Sequence, residues 1–283
     1  MDGRILEEEI HYIMKKLSVK TYEIRASKPD LPPGLVKLAF LTDYHNLKDV
    51  ACREKLLASL AQYAPDLVLV GGDMLVAKRG CSYAPALLLM RRLAGCYKVY
   101  YAFGNHEYRM RLRPEHYGTA GIRYEEKLRE LGVHLLRNET EYLKVKNIPL
   151  AVTGLEIPMM NYRKWRKTAY SPAHIEAAVG RADEKSYQIL LAHNPLYADE
   201  YFAWNPDLVL SGHLHGGVVR LFGRPVIGTD GKLFPKYGYG RMDRDGKTML
   251  VGAGIGEHTI PFRIFNPREL VCVNVRLGNE NIK

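Results

Sequence analysis

The chain has 283 residues, 47% of them apolar, so it is too apolar to remain disordered and long enough for one large domain. Its 41 lysines and arginines outnumber 31 aspartates and glutamates, and the resulting +10 charge favours anionic partners such as phosphate esters, nucleic acid or acidic lipid surfaces. Four scattered cysteines, Cys52, Cys81, Cys96 and Cys272, exclude a disulfide framework or a C-x-x-C zinc knuckle and fit a reducing, cytoplasmic compartment. In chain order, Ile5, Leu6, Ile10, Ile13, Met14 and Leu17 recur at helical spacing opposite Glu7, Glu8, Glu9, Lys15 and Lys16. They predict an amphipathic helix that packs on the domain or, alternatively, makes a peripheral contact with the inner face of a membrane. No uninterrupted apolar run suits a secretory signal or a bilayer span. The run Pro29-Asp30-Leu31-Pro32-Pro33-Gly34 reads as a joint, so residues 1–34 are an N-terminal appendage and 35–283 a single domain.

Within that domain short apolar runs alternate with helical patterns. Strands are expected at 36–41, 67–70, 97–103, 133–136, 150–153, 188–192 and 208–210, and helices at 50–63, 84–93, 122–131 and 172–179. The alternation predicts a layered α/β architecture. Beyond Gly216 the texture is Gly-rich and strand-like. Asp245-Gly246 marks a tight hairpin between 240–243 and 248–251, and an alternating strand over 269–277 closes the chain.

Several strands end in short polar clusters: Asp43-Tyr44-His45-Asn46, Gly71-Gly72-Asp73, Gly104-Asn105-His106-Glu107, His193-Asn194-Pro195 and Ser211-Gly212-His213-Leu214-His215-Gly216-Gly217. Taken singly, each has an ordinary structural explanation, such as a helix N-cap at Asp43, a turn at Gly72-Asp73 or a hydrogen-bonded core histidine at His193. Their repetition at strand ends points to one shared crevice, because the carboxyl ends of strands in an open α/β sheet converge. Asp43, His45, Asp73, Asn105, His193, His213 and His215 offer more oxygen and imidazole donors than one ion can use and enough for two. A carboxylate such as Asp73 can bridge such a pair, and donors without thiolate suit Mn, Fe, Zn, Co or Ni.

These blocks resemble the calcineurin-like metallophosphoesterase superfamily, whose order is D-x-H, G-D, G-N-H-[DE], H and G-H-x-H. The Gly212–Gly217 block and the tail from Gly254-Ile255-Gly256 to Pro261-Phe262-Arg263-Ile264-Phe265-Asn266-Pro267 are most similar to its small bacterial phosphodiesterase branch. The resemblance implies a two-layered β-sandwich flanked by helices. It implies that Asp43, His45, Asp73 and His215 hold one divalent ion while Asp73, Asn105, His193 and His213 hold the other. It also implies that His106 stands beside the ions and assists the leaving oxygen. Asp73 is followed by Met74-Leu75-Val76-Ala77, with no further aspartate, which separates the chain from the protein phosphatase branch.

The expected activity is in-line hydrolysis of a phosphodiester or pyrophosphate bond, in a small or lipid-linked substrate, by a hydroxide shared between two metals. Glu107 reads as an exposed turn carboxylate or, alternatively, as a group that orients a neighbouring imidazole or raises its pKa. Arg109, Arg163 and Arg263 are candidate phosphate contacts, the first two within the basic, aromatic stretches 108–113 and 161–167. The alternatives are a metal-dependent nuclease, for which no nucleic-acid module is recognisable, and a non-catalytic scaffold, which the intact donor set opposes.

Overall fold

The computed structural model of the protein describes residues 16–26, 28–163, 168–228, 231–257 and 263–278. Fourteen strands appear among them: β1 Leu17–Ala26, β2 Gly34–Leu41, β3 Leu67–Val70, β4 Val99–Ala102, β5 His134–Leu136, β6 Glu139–Val145, β7 Ile148–Leu155, β8 Tyr187–Ala192, β9 Leu208–Ser211, β10 Val219–Leu221, β11 Arg224–Ile227, β12 Gly240–Arg244, β13 Lys247–Val251 and β14 Arg268–Leu277. They form two six-stranded sheets, ordered β1-β14-β2-β3-β4-β5 and β12-β13-β9-β8-β7-β6, plus the β10–β11 hairpin. The inner strands of both sheets run parallel, with antiparallel pairing at β14–β2, β6–β7 and β12–β13.

Period-2 alternation decides which face of each strand looks where. Val36, Leu38 and Phe40 of β2, Leu67 and Leu69 of β3, Ile189 and Leu191 of β8 and Leu208 and Leu210 of β9 pack between the sheets. The intervening Ala39, Leu41, Val68 and Val70 face outward onto the helices α1 Val50–Tyr63, α2 Ala84–Ala94, α3 Asn105–Leu112 and α5 Ala120–Glu130, with the single turn α4 Pro114–Tyr117 between the last two. Leu190, Val209 and Met249 face α6 Pro172–Val179 and α7 Ala198–Trp204 on the other side. The result is the expected β-sandwich flanked by helices. Because both faces of each central strand are covered, strands such as Leu67–Val70 are buried at every position, which is why they read as continuous apolar runs.

The expected elements over 36–277 appear within a few residues of their predicted ends. Apart from β1, the elements not anticipated include α3, the single turn α4, α7 and the polar edge strand β6. The amphipathic helix over 5–17 lies outside the described residues as far as residue 15. At its end the structure corrects the sequence reading, since Leu17 opens β1 and does not close a helix. Strand β1 pairs in parallel with β14, Leu17 opposite Arg268 and Ile24 opposite Val275, and inserts Tyr22 and Ile24 between the sheets. Polar residues at Ser18, Lys20 and Glu23 hide its alternation. The sheet therefore begins well before residue 35. No helix among the described residues is long and apolar enough to cross a membrane.

Leu38 has no exposed surface and sits in the middle of the inter-sheet core. Leu38→Ala should cost about 2–5 kcal/mol through lost transfer energy and an unfilled cavity. Urea unfolding should show this as a lower midpoint at unchanged m-value.

Candidate metal centre

The polar clusters all lie where the parallel strands of both sheets end. The loops after β2 and β3 run side by side, with Asp43 N–H donating to Gly72 O at 2.9 Å, His45 N–H to Asp73 O at 3.1 Å and Asn46 N–H to Met74 O at 2.9 Å. From the other sheet, Gly212 N–H donates to His193 O at 3.0 Å. The two pairs of loops are joined by His213 N–H donating to Asp43 Oδ2 at 3.1 Å, and by His193 Nδ1 donating to Gly71 O at 2.7 Å. Asp43, His45, Asp73, His213 and His215 all adopt left-handed backbone conformations. For residues with a side chain this costs of order 1–3 kcal/mol each and persists only where surrounding contacts fix it. Gly212 is required for closeness, because a Cβ there would stand 2.1 Å from Thr42 Oγ1 and 2.3 Å from Asp43 Oδ2.

Three overlapping groups of side chains result: Asp43, His45 and His215; His45, Asp73 and His106; Asp73, His193 and His213. Within each, one donor atom per residue lies within 4.8 Å of the others. His215 Nε2 is 3.2 Å from Asp43 Oδ1 and 3.0 Å from His45 Nε2, while His193 Nε2 is 3.1 Å from Asp73 Oδ2. Asn105, at the start of α3, is buried beside them. Its Oδ1 and His193 Nε2 are buried without a hydrogen-bond partner among the described residues. A lone pair left bare in a dry site is costly unless something else takes it, and Asn105 Oδ1 is such an oxygen donor beside the clustered imidazoles and carboxylates. That chemistry fits divalent cations. No cysteine belongs to any of the three groups.

The calcineurin-like phosphoesterase family model matches residues 36–217, from β2 to the end of the His213–His215 block. The chain belongs to that family. It is therefore a metal-dependent phosphoesterase. A Campylobacter jejuni metallophosphoesterase of uncharacterised function is 28% identical over 276 residues, covering 96% of this chain and 67% of that protein. A Helicobacter pylori metallophosphoesterase is 28% identical over 249 residues, covering 87% and 61%. The Escherichia coli phosphodiesterase YaeI is 27% identical over 198 residues, covering 68% and 64%. The phosphoesterase chain thus spans 61% to 67% of the length of these relatives. A solved structure from Thermus thermophilus shares the fold, with a TM-score of 0.50 at 12% identity over 79% of this chain and 92% of that one.

Charge in the phosphoesterase site is balanced internally. Burial alone would raise both carboxylates, yet His215 and His193 facing Asp43, and His193 and His106 facing Asp73, hold both below the usual carboxylate range. Burial pushes His213 and His215 down to about 3, so both are neutral. For His193 burial acts in the same direction, but Asp73 and Asp43 outweigh it and raise the imidazole to about 10. His106 is pushed down to about 4, chiefly by burial. Its Nδ1 accepts the Ala77 N–H at 2.7 Å, which assigns the remaining proton to Nε2, 3.8 Å from Asp73 Oδ2 and facing the site.

Glu107 is the residue that sequence reasoning missed. It is buried, not exposed, and its carboxylate accepts the N–H groups of Asp73 at 2.9 Å, Leu75 at 3.0 Å and Gly104 at 3.2 Å, and the Tyr101 hydroxyl at 3.0 Å. The usable signal was its third position in a helix beginning at Asn105. Arg263 is also corrected. Its buried guanidinium donates to Ala253 O at 2.8 Å and to Gly256 O, and lies 3.1 Å from His215 Nδ1, so it braces the ligand loop from behind. Arg109 is half-buried one turn beyond His106 and lines a cavity of about 170 Å³ with Leu112, Arg113 and Met159, while Arg163 is exposed. Residues 164–167 lie outside the described chain. Arg111, in the same basic run, is committed to Glu156 by a two-pronged pair at 2.7 and 2.8 Å. Tyr162 packs edge-on against His213, with ring centroids 5.2 Å apart.

Glu107→Gln turns one acceptor into a donor facing N–H groups, and should destabilise the fold by about 1–3 kcal/mol. Bound metal per chain, measured by atomic emission, should fall as well, because the Asp73 loop loses its anchor. The raised His193 sets a sign for metal uptake. A ligand protonated below about pH 10 must lose that proton to bind, so affinity should rise with pH between 7 and 9, by roughly tenfold per unit for each proton displaced. Calorimetry in buffers of different ionisation enthalpy at pH 7.5 should find about one proton released or more, and pH-independent affinity would contradict the assignment.

Proposed function

We propose that the protein hydrolyses a phosphodiester or pyrophosphate bond in a small or lipid-linked substrate, using two divalent ions. Asp43, His45, Asp73 and His215 would hold one ion and Asp73, Asn105, His193 and His213 the other, with Asp73 shared. The observation that carries this reading is the convergence of two buried carboxylates and several imidazoles around Asn105 Oδ1, which is buried without a hydrogen-bond partner among the described residues. The kinship with a protein named a phosphodiesterase supports diester chemistry. The oxygen and nitrogen donors suit Mn, Fe, Zn, Co or Ni. Such ions supply Lewis acidity toward phosphate oxygens and a nucleophile available at neutral pH.

The chain's own residues do the rest. Burial of the donors excludes competing water, and the strained loops keep them in one arrangement before substrate arrives. His106 offers its Nε2–H to the leaving oxygen. Because Nδ1 is already engaged by the Ala77 N–H, the imidazole acts as a neutral hydrogen-bond donor held at a fixed angle. Arg109 and Arg163 are the proposed contacts to the rest of the substrate. We place the enzyme in the cytoplasm, in line with its four free cysteines.

Bis-p-nitrophenyl phosphate with added Mn, Ni, Co or Zn tests the reading. Turnover should vanish on chelation and return on readdition of metal. His106→Ala should lower kcat by roughly 10²–10⁴ with bound metal unchanged. Folded, metal-loaded protein without turnover would refute diester hydrolysis.

A further inference from the structure

The β10–β11 hairpin is built inside out. Arg220 points inward, 7% exposed, with its guanidinium 4.0 Å above the ring of Tyr239. The neighbouring residues on the opposite face are apolar, with Val219 and Ile227 half-buried and Leu221 exposed. Val219 pairs with Ile227 in the hairpin, and isolated bridges add Ile264 beside Val219 and Leu233 beside Ile227. Bridged residues share a face, so Ile264, Val219, Ile227 and Leu233 make one apolar row across four adjacent segments. Leu221 extends it, and Phe222 at the hairpin tip is wholly exposed at 102%. Phe234 and Phe265, next in the chain to Leu233 and Ile264, are exposed at 71% and 65%. Scattered exposed apolar residues need no explanation, whereas a connected group does.

What surrounds the group identifies its partner. Arg224 lies opposite Leu221 in the hairpin register, and Lys232 and Lys236 flank Leu233 and Phe234; all three are exposed, and Lys236 also lies 3.8 Å from Asp199 Oδ2. Apolar and aromatic rings within a rim of cations match the interface of an anionic bilayer, where the rings enter the acyl boundary and the cations meet lipid phosphates. A second copy is the poorer partner. A two-fold contact sets the patch against itself, so a rim rich in cations would meet another rim rich in cations.

We propose that this face docks the protein on anionic membranes. It is fixed to the metal centre through short links: Ile264 N–H donates to Val218 O at 2.9 Å, and on either side of Ile264 and Phe265 stand Arg263 against His215 and Asn266, whose Nδ2 donates to His215 O and Gly217 O at 2.6 Å. Docking would therefore orient the site relative to the lipid surface. The face does not depend on which ester the site cleaves.

Co-sedimentation of the full chain with vesicles of phosphatidylglycerol and phosphatidylcholine, against phosphatidylcholine alone, tests this. The wild type should bind the anionic vesicles preferentially, and less as salt rises. Phe222→Ser with Phe234→Ser should lower partitioning about tenfold or more. Tyr142→Ser, which removes an exposed ring from edge strand β6, should leave it unchanged. Hydrolysis of soluble bis-p-nitrophenyl phosphate should be the same in all of them. Wild type that stays in the supernatant, a double variant that sediments like wild type, or a solution dimer that the double variant splits would each overturn the proposal. Vesicle binding lost in the double variant while the soluble assay is silent throughout would uphold docking and remove the hydrolase reading alone.

Discussion

Two carboxylates buried one strand apart, Asp43 after β2 and Asp73 after β3, set the terms for everything around them. An ionised carboxylate removed from water costs several kcal/mol if left uncompensated, far more than the roughly 1 kcal/mol that one ordinary hydrogen bond returns. Two of them side by side add mutual repulsion. The first sheet supplies one compensating charge, through His45, whose imidazole the carboxylates hold up. The other comes from His193 on the second sheet, with neutral His213 and His215 beside it, and this is possible because the two sheets pack with the carboxyl ends of their parallel strands at the same edge. The sandwich core, with Leu38 and Phe40 against Ile189 and Leu210, thereby holds the electrostatic balance of the site in register.

Two further buried charges secure the loops, each collecting the backbone groups opposite to its own sign. On the first sheet Glu107 gathers N–H groups from the Asp73 loop and from the turn before α3. On the second, Arg263 gathers carbonyls from the segment that backs Asp43, where Gly256 N–H donates to Asp43 O at 2.6 Å. Neither faces the space between the donors. Both keep strained loops from relaxing, which is how rigid strands and adaptable loops combine in a preorganised site.

The segment after the His213–His215 block follows a different logic. Elsewhere most apolar side chains gather in one of three cores. In the β10–β11 hairpin the polarity is reversed, with Arg220 inside a cluster with Tyr239 and Glu269 and the apolar row outside. A sheet only a few residues wide cannot bury both faces, and here the face turned away from the domain is the apolar one, beside the ligand loop.

Much of this was legible in the residue order. Alternating apolar runs gave the layered fold, because strands covered on both faces and helices covered on one leave distinct periods in the sequence. The seven donors could be named because metal ligation restricts residue type so severely that five short blocks stand out. Other features were not legible. Strand β1 is masked by polar residues along an edge, and its partner β14 lies at the far end of the chain. Glu107 looked like a surface charge and Arg263 like a phosphate contact, since only packing shows that their surroundings are backbone rather than water or substrate. Sequence by itself determined which atoms were available to bind. Tertiary structure decided which of them are buried together and which charges brace the loops, because burial and proximity depend on how the two sheets meet, and local pattern carries no record of that distance.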